Sequence, residues 1–426
     1  MKTVKIGIIG AGTVGRGVLD ILRRQGDLIA KRAGVAFEVK AVCDRSWEKK
    51  KEFLGNAAAS ADFALIRDDP EIEIVLELIG GREPARTYIL ESLQNGKSVI
   101  TANKALLAAA GREIFSAARA AKKEIGFEAA VAGALPVIKS LRRGLIANET
   151  RALYGILNGT CNFIITKMQE ERMDYSQALR LAQEKGFAEA DPSFDVNGND
   201  AAQKLALLAG LAFDVFIEED KVPAEGIANL RQVDLTLAES MGWVIRLLAV
   251  ARREDDGSLL LRVHPAMIHK EHILASVVGE KNAVFLDTSN SGPCLIMGLG
   301  AGSHPTAAAV ISDLVHIARN RDGEPEFWYD TDDAVAPAYA DHCSYRYYLR
   351  FRTLDQPGVL AAISRVLAEE NISIATMHQQ EGSEPVDVVL LTHSAPEDRL
   401  IRALKKIDEL PVIKEPTVHL RIEDHI

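Results

Sequence analysis

The stretch VKIGIIGAGTVGRGVLDIL, residues 4–22, decides how the first part of the chain folds. A short strand rich in β-branched residues runs into Gly10, Gly12 and Gly15, and an apolar helical pattern follows at once. In a strand–turn–helix unit, such glycines allow a tight turn, close approach of a phosphate to the backbone, and close packing of helix on strand. Because the motif stands in that context, it predicts a Rossmann-type domain that binds a dinucleotide.

The second strand pattern, FEVKAVCD at residues 37–44, ends in an acid that could accept hydrogen bonds from ribose hydroxyls. Asp44 comes later than the usual spacing of about 20 residues after the glycine motif. We therefore predict an insertion after the first helix, at residues 23–34. An acid favours NAD, whereas the adjacent Arg45 could bind the 2′-phosphate of NADP. This segment leaves the choice between the two cofactors open.

Composition narrows the class of protein. The chain has 426 residues and a formal net charge of -10, with its cations scattered among acids, which argues against a nucleic-acid partner. Neither the four cysteines nor the group His264, His269 and His272 follows a metal-ligand spacing, so we interpret them as non-ligands. No stretch is long and apolar enough to span a membrane. These features predict a cytoplasmic protein that binds small molecules.

Two further strand patterns, at residues 72–81 and 97–108, end in small or polar residues. Ligands bind at the carboxyl edge of a parallel sheet, so Lys104 is predicted to lie at the mouth of the nucleotide cleft. Glu128 ends the next strand pattern. We expect the chain to leave this first domain near residue 134.

Residues 135–302 mix the two periodicities, which predicts an α+β domain. The patterns predict strands at 151–159 and 259–268 and helices at 175–186 and 234–253. A glycine turn and a long helical pattern then follow, and this helix should pack back on the nucleotide domain. That domain is therefore expected to span residues 1–134 and about 303–340.

A linker around residues 332–345 precedes the last part of the chain. Residues 345–426 repeat a strand–helix–strand pattern twice, with a Pro-Gly turn before the first helix. The duplicated half-pattern predicts a small ferredoxin-like module.

Six blocks, in this order along the chain, resemble the homoserine dehydrogenase family, and residues 345–426 resemble an ACT domain. The blocks are GAGTVG (10–15), TANKALL (101–107), EAAVAGALPVI (128–138), GILNGTCNFI (155–164), GFAEADPSFDVNGNDAAQKL (186–205) and GAGSHPTAAAVISDL (300–314). The resemblance implies an α/β protein with a Rossmann-type domain, an α+β substrate and dimerisation domain, and a regulatory ACT domain. It implies NAD(P)-dependent interconversion of aspartate 4-semialdehyde and homoserine by a monofunctional enzyme of threonine, methionine and isoleucine biosynthesis. It further implies a homodimer or homotetramer, an amino-acid effector at the ACT domain with threonine as the first candidate, and a bound monovalent cation, commonly sodium.

The resemblance also assigns residues. It implies that Lys204 is catalytic and that the substrate is bound by Lys104, Thr160, Gly186, Glu189 and Asp200. It implies that the cation is held, largely through carbonyls, by Glu128, Val131, Gly133 and Leu135. With the glycine motif, it implies cofactor contacts at Gly10, Gly12, Thr13, Val14, Gly15, Asp44, Arg45, Lys104 and Gly302.

Asp200 and Lys204 stand four residues apart, which places them on one face of a predicted helix. Taken alone, they could form a surface ion pair or the centre of an active site. Hydride delivery to an aldehyde builds negative charge on oxygen, and a nearby lysine can stabilise that charge and donate a proton. The resemblance therefore favours an active-site face. The alternatives are another Rossmann-type dehydrogenase and a non-catalytic nucleotide- and amino-acid-sensing protein.

Overall fold

The structure of the protein is a computed structural model, and it describes residues 2–321, 323, 325–326, 339, 343–379, 385–424 and 426. The predicted linker at 332–345 lies largely outside the described residues. No helix in the part of the chain that is described is long and apolar enough to cross a membrane.

The N-terminal part forms a parallel sheet in the order β3-β2-β1-β4-β5-β6. Its elements are β1 Lys2–Ile9, α1 Thr13–Ala33, β2 Val35–Cys43, α2 Lys51–Leu54, β3 Ala58–Ser60, α3 Ala64–Arg67, β4 Ile74–Glu77, α4 Ala85–Gln94, β5 Ser98–Thr101, α5 Lys104–Ala121 and β6 Ile125–Gly126. Ile8 and Ile9 of β1, whose side chains point to opposite faces of the sheet, are both buried, as expected for a central parallel strand that is covered on both faces. The glycine motif therefore lies between a strand and a helix, as predicted, and that strand is central in the sheet.

The predicted insertion at residues 23–34 is wrong, because these residues continue α1 to Ala33. Ion pairs from Arg23 and Arg24 to Asp20, three and four residues earlier, support the extra turns. At the far end, the Arg319 guanidinium donates hydrogen bonds to the last carbonyls of the helix. Asp44 comes late along the chain because the helix is long.

The middle part forms an antiparallel sheet in the order β11-β10-β7-β8-β9. Its elements are α6 Val137–Lys139, β7 Thr150–Ile156, α7 Gly159–Glu170, α8 Tyr175–Glu184, α9 Ser193–Val196, α10 Asn199–Phe213, α11 Gln232–Ser240, β8 Trp243–Arg253, β9 Leu259–His269, β10 Lys281–Thr288, β11 Gly292–Leu299 and α12 Ser303–Asn320. The core residues Leu205 and Leu208 of α10 pack against this sheet. The long helix α12 packs back on α1 of the nucleotide domain, as its pattern predicted.

The predicted helix at 234–253 is correct only in its first half. Helix α11 ends at Ser240, Gly242 adopts a positive φ of 86°, and the strand β8 follows. Residues 245–251 are buried and all pair with β9, and residues 249–251 also pair with β7 on the other side. A run that is apolar on both faces has no alternation, so periodicity cannot separate a central strand from a buried helix.

The C-terminal part has the predicted β-α-β-β-α-β order and an antiparallel sheet, β16-β12-β14-β13, of ferredoxin-like topology. Its elements are β12 Ser344–Thr353, α13 Val359–Glu369, β13 Ile374–Gln379, β14 Val386–Thr392, β15 Ala395–Pro396, α14 Glu397–Asp408 and β16 Ile413–Ile422.

The C-terminal module shares its sheet with the middle domain, which the sequence did not predict. Strand β16 pairs in parallel with β9, through Arg421 opposite Ala266 and Ile422 opposite Met267. A buried ion pair, with 2.7 Å between the Nε of Arg350 and the Oδ1 of Asp234, crosses the same joint. The module is therefore joined to the middle domain by backbone and side-chain contacts.

Candidate active site

The glycine turn after β1 leaves no room for side chains where the backbone needs close contact. A Cβ on Gly15 would lie 2.1 Å from the carbonyl oxygen of Gly10, and a Cβ on Gly10 would lie 2.9 Å from that of Leu78. At Gly12, by contrast, no described atom comes within 4 Å of the Cβ position. Thr13 and Val14 open helix α1 immediately after this space. An open backbone at a helix N-terminus fits the pyrophosphate of a dinucleotide.

The turn that contains Gly302 lies beside the glycine motif. Ser303, which starts α12, donates a hydrogen bond of 2.7 Å from its hydroxyl to the carbonyl of Thr13. On the other side, a Cβ on Gly133 would lie 2.4 Å from the carbonyl oxygen of Gly300. The Gly302 turn therefore stands between the start of α1 and the segment that was predicted to bind a cation.

The carboxylate of Asp44 is tied into the same turn. It accepts hydrogen bonds from the Ala11 amide at 2.8 Å and from the Lys50 Nζ at 2.6 Å, besides two from Ser46. Burial would raise the pKa of Asp44, but the hydrogen bonds from Lys50, Ala11 and Ser46 lower it to about 2. Arg45 is exposed. The ion pair of Lys50 with Asp44 was not predicted, although Lys50 follows Asp44 closely along the chain.

At the other end of the cleft, the predicted pair on α10 is present. The Lys204 Nζ lies 2.7 Å from the Asp200 Oδ2, and it also donates a hydrogen bond of 2.7 Å to the carbonyl of Leu157. Leu157 directly follows β7, and the side-chain amide of Asn282 donates to the same carbonyl at 2.9 Å. The Lys204 side chain is only 12% exposed. The pair is therefore held at the end of a buried strand, away from the outer surface.

Lys104 reaches this pair from the nucleotide domain. It is the first residue of α5, and its Nζ lies 3.2 Å from the Asp200 Oδ1. Burial would raise the pKa of Asp200, but the charges of Lys204 and Lys104 outweigh it and hold the pKa at about 2. The carboxylate is thus ionised at neutral pH and bridges the two domains between two lysines.

Asn158 and Asp195 complete the cluster. The side-chain amide of Asn158, which lies just before α7, donates to Asp200 at 2.8 Å and to Asp195 at 2.7 Å. Its oxygen caps helix α7 by accepting from the Cys161 amide. Burial and the nearby Asp200 raise the pKa of Asp195. Sequence reasoning missed Asp195, which lies inside the 186–205 block.

The other predicted substrate residues lie around the start of α7. The Thr160 hydroxyl donates a hydrogen bond of 2.6 Å to the carbonyl of Phe187, which ties the turn after Gly186 to that helix. Glu189 is exposed on the same turn, and its carboxylate forms no hydrogen bond or ion pair with the described residues. The structure brings Lys104, Asp200 and Lys204 together, and it leaves Glu189 outside that contact.

The predicted cation segment is buried behind the cleft. The Glu128 carboxylate accepts hydrogen bonds from the amides of Ile138 at 2.8 Å and Lys139 at 3.0 Å. Burial and the neighbouring Asp313 raise the pKa of Glu128 to about 7. Within the described ranges, no group of three or more His, Cys, Asp and Glu side chains could hold a metal ion. A cation at Glu128 would therefore depend on backbone carbonyls for its other ligands.

Comparison with known families covers most of the chain. The family model described as homoserine dehydrogenase matches residues 136–315, the model of the NAD-binding domain of homoserine dehydrogenase matches residues 10–128, and the ACT domain model matches residues 347–410. The chain belongs to the homoserine dehydrogenase family. It is an NAD(P)-dependent oxidoreductase that interconverts aspartate 4-semialdehyde and homoserine.

Relatives agree with this assignment over the full length. Homoserine dehydrogenase of Pseudomonas aeruginosa is 42% identical, with 99% of each chain covered. The crystal structure of a homoserine dehydrogenase from Thiobacillus denitrificans superimposes with a TM-score of 0.93 at 41% identity, covering 100% of this chain and 99% of that one. A hyperthermophilic archaeal homoserine dehydrogenase in complex with NADPH has a TM-score of 0.62 at 25% identity and covers 74% of this chain and 98% of its own.

Proposed function

We propose that Lys204 is the general acid and base of this homoserine dehydrogenase and that Lys104 and Asp200 complete its catalytic cluster. The observation that carries the proposal is the single carboxylate of Asp200, held 2.7 Å from one lysine and 3.2 Å from the other. When bound, the nicotinamide cofactor supplies or accepts the hydride. The residues of the chain must then manage the charge that develops on the substrate oxygen.

The charge balance of the cluster suits that task. Two ammonium groups contact the ionised carboxylate of Asp200, and burial raises the pKa of the neighbouring Asp195, which favours its neutral form. The cluster then has an excess positive charge, which stabilises an oxyanion in the transition state. An ammonium group has three protons. Two of those on Lys204 are donated to Leu157 and Asp200, so one is left for the substrate oxygen. Lys204 can therefore donate this proton as the aldehyde is reduced and recover it in the reverse direction.

The substrate also carries an ammonium and a carboxylate. A carboxylate has about four lone-pair sites, and Asp200 uses two on Oδ2 and one on Oδ1. The remaining site on Oδ1 can accept the substrate ammonium, with the exposed Glu189 as a second acceptor. We assign the substrate carboxylate to Lys104, whose side chain is 30% exposed. Thr160 and Gly186 then shape the turn that carries Glu189.

For the cofactor, we propose that both NAD and NADP serve, with a modest preference for NADP. Asp44 lies where the ribose of either cofactor would contact the second strand. Arg45 is exposed and lies next to it, so it is available to bind a 2′-phosphate.

We also propose that Glu128, with carbonyls of Val131, Gly133 and Leu135, holds a monovalent cation such as sodium. The buried Glu128 carboxylate, whose pKa of about 7 reflects its poor solvation, would gain a counter-ion there. Such an ion would hold the turn of Gly133 against that of Gly300.

The ACT domain is proposed to bind an amino-acid effector, threonine first, at the turn before α13. Gly358 lies in that turn with a positive φ of 94°.

We further propose that the protein is a homodimer or homotetramer, and sedimentation as a monomer at micromolar concentration would reject this.

Replacing Lys204 by Met tests the catalytic role. Methionine keeps the length and the helix propensity, while the proton donor is lost. We expect kcat to fall by about two to four orders of magnitude, the range for loss of a positioned general acid, with a smaller change in KM. Steady-state kinetics with homoserine and NADP would measure this, and cofactor binding should persist.

Lys167→Met is the matched control, because Lys167 forms an ion pair of the same spacing with Glu171 at the surface. It should keep its turnover. If Lys204→Met retained more than about a tenth of the original kcat, the general acid would have to be another residue, with Lys104 the next candidate.

Arg45→Ala should lower kcat/KM for NADP more than for NAD, because only NADP carries the 2′-phosphate. Lys49→Ala, an exposed cation of the same segment, is the control and should change the ratio little. An equal loss for both cofactors after Arg45→Ala would show that Arg45 does not recognise the phosphate.

A sodium ion at Glu128 should raise the melting temperature in sodium chloride above that in choline chloride at equal ionic strength, because a ligand that binds only the folded state stabilises it. Glu128→Gln should abolish the difference. Identical melting in the two salts would reject the site.

Threonine should inhibit the enzyme, and Gly358→Val should relieve the inhibition while leaving uninhibited turnover in place, since a β-branched residue does not tolerate a positive φ. We prefer this variant to removal of residues 345–426, which would leave Asp234 buried without Arg350. If threonine, isoleucine and methionine all leave the activity unchanged, the proposed regulation is wrong.

A further inference from the structure

Glu77 is a buried acid beneath the cleft. Neither the family assignment nor the catalytic proposal gives it a role. Glu77 ends β4 and Thr101 ends β5, and the two residues are register partners in the parallel sheet. Both are fully buried. The Thr101 hydroxyl donates to the Glu77 Oε2 at 2.5 Å, and the Glu77 Oε1 accepts from the Ile79 amide at 2.9 Å.

The contact continues from Thr101 to the start of α5. The oxygen of the Thr101 hydroxyl accepts from the Asn103 amide at 3.0 Å. The Asn103 side chain caps α5 by accepting from the Leu106 amide, and it donates to the carbonyl of Gly81 at 2.7 Å. The next residue, Lys104, carries the amine that meets Asp200. A chain of short contacts therefore links the buried carboxyl to the base of the Lys104 side chain.

When the Glu77 carboxyl is ionised, the direction of these hydrogen bonds is fixed. The Thr101 hydroxyl has one proton, and Glu77 takes it, so its lone pairs are left to face the Asn103 amide. Only an acceptor at position 77 produces this orientation. Burial raises the pKa of Glu77 to about 7, because a charged carboxylate is poorly solvated there. Burying this group costs free energy that an apolar side chain would not cost. A buried carboxyl at this position therefore indicates that Glu77 is needed for its hydrogen bonds and not only to fill space.

We propose that Glu77 and Thr101 are positioning residues, which set the start of α5 and thereby hold the Lys104 amine against Asp200 and the substrate. The inference rests on the role proposed for Lys104. Neither residue contacts the substrate in this proposal, and both act through the backbone of Asn103. The effect of losing them should therefore depend on whether Lys104 is present.

A double-mutant cycle tests this dependence. Thr101→Val keeps the side-chain shape and removes the hydroxyl, and it should lower kcat/KM for homoserine by about tenfold, the order expected for one lost buried hydrogen bond. Thr101→Ser keeps the hydroxyl and should stay within about threefold of the unaltered enzyme, below that loss. When Lys104 is already replaced by Met, adding Thr101→Val should lower kcat/KM by less than about twofold further. The effects of two residues that act through the same group are not additive.

The control is Thr166→Val in α7, whose hydroxyl is arranged in the same way. It is buried, donates to the carbonyl of Asn162 at 2.7 Å and accepts from the Gly279 amide at 3.0 Å. Thr166→Val and Thr101→Val should both lower the melting temperature, because each removes a buried hydrogen bond. Thr166→Val should nevertheless leave kcat/KM within about twofold, since it has no link to Lys104.

Three results would overturn the inference: an equal loss from Thr101→Val in both backgrounds, a loss from Thr101→Ser as large as that from Thr101→Val, or an equal loss in the control. Should Thr101→Val not fold, Glu77→Gln decides by the same cycle, because an amide cannot accept from both Thr101 and Ile79 through separate oxygens. If Lys104→Met itself leaves kcat/KM unchanged, the proposed role of Lys104 fails first. If Lys104→Met lowers kcat/KM strongly and the losses from Lys104→Met and Thr101→Val are additive, the positioning role is rejected and the role of Lys104 stands.

Discussion

The carboxylate of Asp200 between Lys104 and Lys204 is the interaction on which the rest of the site depends. Two ammonium groups at this distance would repel each other, and a buried carboxylate alone would take up a proton. Together they offset both costs, and the pKa of about 2 shows that the lysine charges prevail over burial. Because one lysine comes from each domain, the same carboxylate also joins the two domains at this point.

Buried polar contacts hold the three backbone segments that converge there. Asn158 caps α7 and holds Asp200, Asn282 holds the carbonyl that receives Lys204, and Thr101 holds the turn before Lys104. Each contact satisfies a backbone or side-chain group that would be costly to bury alone. The strand and helix ends around the proposed catalytic cluster therefore have their polar groups satisfied by these contacts.

The C-terminal module enters the same framework through its last strand. The guanidinium of Arg421 on β16 lies 2.7 Å from the carboxylate of Glu225, and the amide of Ile227, two residues on, donates to the carbonyl of Val196 just before α10. Such a joint explains why the module cannot be treated as a separate attachment. Arg421 and Arg350 of the module form ion pairs with Glu225 and Asp234 of the middle domain, and β16 pairs with β9.

The sequence by itself determined the domain order, the glycine turn, the ferredoxin-like module and the Asp200–Lys204 face, because each depends on local periodicity or on residues close together along the chain. It misplaced β8, since a strand buried on both faces has no alternation, and it predicted an insertion where α1 continues. Only the tertiary structure decided the contact of Lys104 with Asp200, the places of Asp195 and Lys50, and the joining of β16 to β9. Those contacts are set by which strand ends and helix starts meet in space, and that depends on packing among residues far apart in the chain.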